Sequence, residues 1–250
     1  MSYGMYLSAE GAKAQSRRLE VISNNMANVD TVGFKPDVAT FQARYAEAIQ
    51  QGDALPGSKG LNDIGGGVKI IETRTDYSAG KLERTGNRGD VAILGEGFFR
   101  VEGNRPGETL LTRAGALGVD SLNRLVMAGT NRAVLAADGS PIEITSVDWT
   151  VTADGYVDQL GEQTPLALVQ PPSLNDLSKV GNNLFLSRTP ALDIDPAARE
   201  VRQGFREMSG ANSTQQMMAM IETNRAFEAN TQMIRHQDTA TGSLISRILG

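Results

Sequence analysis

Helix-like periodicity at both ends of the chain leaves it few architectures to choose from. Near the C-terminus Met217, Met220, Phe227, Ile234, Ile245 and Ile248 fall on one seam of a heptad grid, with Asn224, Thr231, Asp238 and Thr241 filling its other slots. Near the N-terminus the same three-four spacing links Met5, Ala12, Leu19, Ile22, Met26 and Val29, interrupted by Ser8 and Gln15. So narrow an apolar stripe does not bury a helix in an ordinary core; it needs other helices beside it. The pattern predicts a first helix from about Tyr3 to about Asn28, stopped where Gly33 suits a left-handed turn and Pro36 blocks resumption. A last helix is predicted over Thr214 to Leu249, with Asn212, Ser213, Thr214 and Gln216 as capping residues.

Between the helices the texture changes. Phe41, Tyr45 and Ile49 keep helical spacing for a few turns, and the glycine-rich stretch from Gln51 to Gly67 reads as an extended connector. Strand-like runs follow at Val68 to Thr73, Val91 to Val101, Leu117 to Met127, Ile142 to Thr152 and Leu166 to Val169. Asp138-Gly139 and Asp154-Gly155 are the strongest tight-turn signals, because glycine supplies the positive φ such turns require. Pro171-Pro172 is expected to end the strand run, and Gly181 to Gly204 to form a looped return. The expected fold class is α+β: a discontinuous coiled-coil domain from the two terminal helices, plus an all-β middle domain. The expected boundaries are 1–35 for the first helix, 36–67 for the connector, 68–204 for the β domain and 205–250 for the last helix.

Several kinds of chemistry find no support. The formal net charge of -5 carries no basic block, so a nucleic-acid footprint is absent. Cysteine does not occur, which removes disulfides, thiolate metal sites and a cysteine nucleophile. His236, the single histidine, lies off the apolar seam and has no second metal ligand near it in sequence. Gly95-Glu96-Gly97 lacks the third glycine and following helix of a dinucleotide loop, and a tight turn explains it better. No catalytic, cofactor-binding or metal residue is expected, and no cofactor, nucleic acid or small-molecule substrate. The first residues lack the pattern of a cleaved secretory signal, and no run approaches a membrane span.

The stretch Ile22-Ser23-Asn24-Asn25-Met26-Ala27-Asn28-Val29-Asp30-Thr31-Val32-Gly33-Phe34-Lys35 resembles a signature of the bacterial flagellar rod and hook protein family, which has a form close to ANNLANVNTTGFK. Ser23, Met26, Asp30 and Val32 depart from it. Thr85 to Ile93 and Gly95 to Phe99 are similar to the family elements TGNPLDVAI and GDGFF, with Arg88-Gly89 replacing Pro-Leu. Leu111 to Gly115 is similar to YTRAG, Val151 to Val157 to a family hairpin, Met220 to Asn230 to MIxxQRAYEAN, and Gln237-Asp238 to QD. The resemblance runs through nearly the whole chain in the family's order.

It implies a structural subunit of the flagellar axial structure in the periplasmic space, exported through the flagellar type III apparatus and polymerised with itself and other rod subunits. In the family both terminal helices lie in the inner tube wall as a coiled coil, with the β-rich part outside. The chain's length suits a rod subunit, and Gly4 to Ala12 is more similar to proximal than to distal rod members; a distal-rod or hook-type subunit is the alternative. The residues expected at subunit interfaces are Met5, Ala12, Leu19, Ile22, Asn24, Asn25, Met26, Asn28, Val29, Met217, Met220, Asn224, Phe227, Ile234, Ile245 and Ile248. Asn24, Asn25 and Asn28 are either backbone ligands between subunits or a helix-stop sequence. A secreted β-domain adhesin and a carboxylate hydrolase are the readings from other classes; the hydrolase requires a cleft and a raised carboxyl pKa.

Overall fold

The computed structural model describes residues 3–43, 45, 49, 65–105 and 107–249. Contacts divide the chain into two compact units, one formed by residues 1–27, 37–76 and 212–250, the other by residues 28–36 and 77–211. An N-terminal helix, a mostly-β middle and a C-terminal helix make this an α+β chain.

The first unit holds α1 (Tyr3–Ala27), β1 (Asp37–Ala43), β2 (Val68–Thr75) and α2 (Ser213–Leu249). Asn212 caps α2: its side-chain Oδ1 accepts from Gln215 N at 3.2 Å and its carbonyl from Gln216 N at 2.9 Å. The two helices pack antiparallel. A β-carbon built at Gly4 would stand 2.8 Å from Gln237 Nε2, and one at Gly11 2.9 Å from Asn230 Oδ1, so each glycine makes room for an amide side chain of α2 seven residues from the next. β1 and β2 form an antiparallel hairpin, Asp37 opposite Thr75 and Ala43 opposite Val68, with a bulge at Thr40/Phe41.

The second unit is built from short strands: β3 (Leu82–Arg84), β4 (Val91–Ile93), β5 (Phe98–Glu102), β6 (Thr109–Thr112), β7 (Leu117–Val119), β8 (Leu125–Met127), β9 (Arg132–Ala133), β10 (Trp149–Val151), β11 (Tyr156–Gln159), β12 (Glu162–Pro165), β13 (Leu168–Gln170), β14 (Leu177–Gly181), β15 (Leu184–Ser187), β16 (Leu192–Asp193), β17 (Val201–Gln203) and β18 (Phe205–Glu207). A six-stranded antiparallel sheet has the order β14-β15-β6-β5-β13-β16, accompanied by β10-β11-β12 and β7-β8-β9. The last strands close on the first, β17 on β4 and β18 on β3. Phe99, Val101, Leu110, Leu125, Val134, Val157 and Leu166, all at most 1% exposed, form the centre of the core. A smaller cluster stacks Tyr77, Phe98 and Phe185 at centroid separations of 5.6–6.3 Å.

Four expectations are corrected. Phe41 lies in a strand, because β1 finds a hydrogen-bonding partner in β2, and that pairing outweighs its helical spacing with Tyr45 and Ile49; residues 51–64 of the expected connector lie outside the described residues. Pro171-Pro172 does not end the strands: β14 to β18 follow, and the expected looped return supplies β15, β16 and β17. The β14–β15 turn uses Asn182 and Asn183 at φ of 50° and 58°, a conformation asparagine tolerates better than most side chains. The expected boundaries also move. Residues 28–36 and β18 join the β unit, while β2 joins the helices, because hydrogen-bonded strand partners rather than sequence neighbours decide where a segment packs.

Candidate assembly site

The face of α2 turned to α1 runs through Gln216, Ala219, Met220, Thr223, Ala226, Phe227, Asn230, Ile234 and Gln237, all buried or half-buried. This keeps Met220, Phe227 and Ile234 from the predicted seam and replaces Met217, Asn224 and Asp238 by Thr223, Asn230 and Gln237. Two of the polar residues there are satisfied by the helix's own backbone: Thr223 Oγ1 donates to Ala219 O at 2.6 Å and Asn230 Nδ2 to Ala226 O at 2.9 Å. On α1, Ala12, Ile22 and Asn25 are buried, Met5, Leu19 and Met26 half-buried, and Asn24 exposed. Val29 and Asn28 are half-buried in the β unit, where Thr31 Oγ1 donates to Asn28 Oδ1 at 3.2 Å. Met217, Asn224, Ile245 and Ile248 face solvent, as do Met218, Ile221 and Leu244.

Asn25 has a specific task within the chain. Its Nδ2 donates to Asp37 O at 2.8 Å and its Oδ1 accepts from Asp37 N at 2.9 Å, so one side chain satisfies both backbone groups of the first β1 residue. Asn25→Ala strands both at a buried position, for about 2–3 kcal/mol at roughly 1 kcal/mol or more per bond. The expected result is a lower helix melt by circular dichroism at 222 nm and an unchanged melt of Trp149 fluorescence. Trp149 is the single tryptophan, 6% exposed inside the β unit, so a parallel fall of both signals would contradict this division.

The segment 28–36 is stitched into the β unit. Gly33 N donates to Glu207 O at 2.8 Å, Gly210 N to Phe34 O at 2.9 Å, Asn183 Nδ2 to Val32 O at 2.9 Å and Lys179 Nζ to Lys35 O at 2.6 Å. Beneath it lies a buried ion cluster. Glu207 Oε1 accepts from Lys35 Nζ at 2.7 Å and from Gly80 N at 2.8 Å, while its Oε2 accepts from Arg113 Nε at 2.6 Å. Two cations thus share one carboxylate. Their remaining donors reach backbone carbonyls: Lys35 to Ser78 at 2.7 Å, Arg113 to Ile93 at 3.2 Å and to Gly95 and Gly97. Every group is supplied with partners, the condition under which buried charge is tolerated.

Burial pushes the Glu207 carboxyl up, but the Arg113 charge, the hydrogen bonds from Lys35 and Arg113 and the Gly80 N–H outweigh it, and its pKa lies below the ordinary glutamate value. A carboxyl whose pKa falls on folding adds stability above its unfolded pKa of about 4.3 and loses it as pH falls through the lower folded value. The Trp149 melt is therefore expected to fall below about pH 4, and Glu207→Gln to flatten that acid dependence. An unchanged acid limb in the variant would assign it to other carboxylates.

Sequence reasoning missed Glu207, whose partners lie 172 and 94 positions away; Lys35 and Arg113, both inside recognised motifs, were the available signal. A cavity of about 400 Å³ beside them is lined by Tyr77, Phe98, Pro171 and Leu174, together with Glu96, whose carboxylate accepts from Gln170 Nε2 at 2.6 Å. No group of three or more potential metal ligands occurs among the described residues, and His236 is exposed on α2.

Three family profiles match the chain in order: "Flagella basal body rod protein" over residues 5–35, "Flagellar hook protein FlgE/F/G D1 domain" over 92–159 and "Flagellar basal body rod FlgEFG protein C-terminal" over 202–247. The chain is 30% identical over 264 residues to the flagellar basal-body rod protein FlgG of Agrobacterium fabrum, covering 97% of this chain and 98% of the relative. It is 30% identical to FlgG of Bacillus subtilis, with 98% and 99% covered. It is also 30% identical to the flagellar basal-body rod protein FlgF of Rhizobium meliloti, with 100% and 99% covered.

Proposed function

The chain belongs to the flagellar basal-body rod protein family, and from that premise we propose that it polymerises through its terminal helices, as a coiled-coil assembly, into the periplasmic part of the flagellar axis. It is a structural subunit and not an enzyme. The observation that carries the polymerisation reading is the exposed apolar surface of α2: Met217, Met218, Ile221, Met233, Leu244, Ile245 and Ile248 are each at least half exposed on a single helix. A long helix with such a surface is marginal in water and gains stability when neighbours cover it. Its partners are further copies and other rod subunits, and its route is the flagellar type III export apparatus. The relatives described above are rod proteins, and none is an adhesin or a hydrolase.

Electron microscopy of basal bodies from cells lacking the gene tests this. Joint loss of rod, hook and filament is the expected result, with the stalled intermediate marking the missing segment. Intact basal bodies would reject the rod assignment.

A further inference from the structure

We infer that the cavity beside the ion cluster is a binding site for a small carboxylate with an aromatic body, the ring held among Tyr77, Phe98, Pro171 and Leu174 and the carboxylate on Arg113. The assignment goes beyond the structural-subunit reading and is independent of it.

Two sequence features without a part in assembly meet at this cavity. Gly95-Glu96-Gly97 and Pro171-Pro172 both line it, and Gln170 Nε2 donates to Glu96 Oε2 at 2.6 Å, joining the two segments. Tyr77 and Phe98 line it as well, and both pack against Phe185, with centroids 5.6 and 5.8 Å from its ring. Phe98 is 4% exposed and Pro171 is buried, so the core of the unit holds these surfaces in place. At about 400 Å³ the space is of small-molecule size, and its lining has the usual makeup of such sites, apolar with a few polar groups. A site formed in advance loses little ordering entropy on binding.

Charge selects the ligand. A guanidinium has five N–H donors. Arg113, 5% exposed, uses four: Nε on Glu207, one Nη1 N–H on Gly97 O, and both Nη2 N–H groups on Ile93 O and Gly95 O. Its second Nη1 N–H has no acceptor among the described residues. Arg113 lines the cavity together with Gly95 and Gly97, whose carbonyls it holds, so the Nη end of the guanidinium borders the space. A buried donor without a partner is a cost that an incoming acceptor removes. The cluster of Lys35, Arg113 and Glu207 carries a net positive charge, which favours an anionic acceptor over a neutral one. With one donor on offer, a carboxylate fits better than a phosphate, whose larger charge needs more partners. The aromatic edges then favour a planar ring as the apolar body. Glu96 is the single acidic residue lining the cavity among those described; it is exposed and opposes the ligand's charge.

Saturation-transfer NMR of 3-phenylpropionate with the full chain tests this, with 3-phenylpropanamide as its uncharged counterpart. The acid is expected to bind with a Kd of about 1 mM or below, ordinary for a ligand of roughly eleven heavy atoms. The amide is expected to bind about tenfold more weakly, the worth of a charge-assisted hydrogen bond. Leu174→Glu, at a cavity-lining position 44% exposed, places a like charge beside the acid and weakens it about tenfold. Glu96→Gln removes the opposing charge and tightens the acid about twofold, leaving the amide unchanged. Trp149 fluorescence verifies the fold of both variants, and Glu96→Gln alone decides if Leu174→Glu does not fold. Absence of saturation transfer to the acid, equal affinity for acid and amide, or an affinity for the acid that either folded variant leaves unchanged overturns the site.

Discussion

Glu207→Leu is expected to lower the melting temperature of the β unit by roughly 6–20 °C. The substitution leaves Lys35 and Arg113, at 2% and 5% side-chain exposure, without their shared carboxylate. Removing one member of a buried ion cluster costs about 3–5 kcal/mol, since the remaining charges stay desolvated. For a chain of this size each kcal/mol moves the midpoint by about 2–4 °C. The effect is not local, because β18 carries Glu207 and pairs with β3, so the cluster ties the last strand of the unit to its first. Trp149 fluorescence against temperature is the measurement. A second variant separates charge from packing: Lys35→Met, Glu207→Leu and Arg113→Met together remove all three charges, and the melt is expected to recover most of the loss. A shift below about 2 °C for Glu207→Leu alone would show that water or rearrangement compensates the cations.

The terminal helices were legible because their spacing reports one geometry over many turns, and Asn212 caps α2 as its residue type predicts. The register of the seam was not legible to the residue. Counting apolar positions excludes Thr223 and Asn230, yet carbonyls of the same helix satisfy both, so they face α1 at little cost. The Asp154-Gly155 hairpin was readable because Gly155, at φ of 78°, carries its own turn signal. The β14–β15 hairpin was hidden because both of its turn residues, Asn182 and Asn183, take positive φ without being glycine. Of the candidate site, Lys35 and Arg113 stood in recognisable motifs, whereas Glu207 ends a three-residue strand that carries no local pattern. A buried cluster assembled from three distant segments leaves no periodic trace, since burial and pairing are properties of the folded chain.

Gly33→Val is expected to abolish motility in cells that carry it as their only copy and to lower the Trp149 melt strongly, whereas Gly86→Val keeps motility and lowers the melt by only the few degrees that backbone strain costs. Gly33 and Gly86 have nearly the same backbone, at φ of 67° and 68°. A β-branched residue pays the left-handed penalty of about 1–2 kcal/mol at either position. Their surroundings differ. A β-carbon at Gly33 would stand 2.6 Å from Ala114 N and from the Arg113 carbonyl carbon, whereas one at Gly86 meets nothing within 4 Å. Backbone cannot yield as a flexible side chain can, so valine at position 33 must push segment 28–36 off the strand end that carries Arg113. Lys35 lies two residues on and leaves with it, breaking its 2.7 Å bond to Glu207. The Gly33 variant thus combines backbone strain with loss of the ion cluster, and the Gly86 variant carries strain alone. Equal effects at the two sites would mean that conformation, and not close approach to Arg113 and Ala114, is why glycine stands at position 33. A motile Gly33 variant with a lowered melt would separate the anchoring of this segment from assembly altogether.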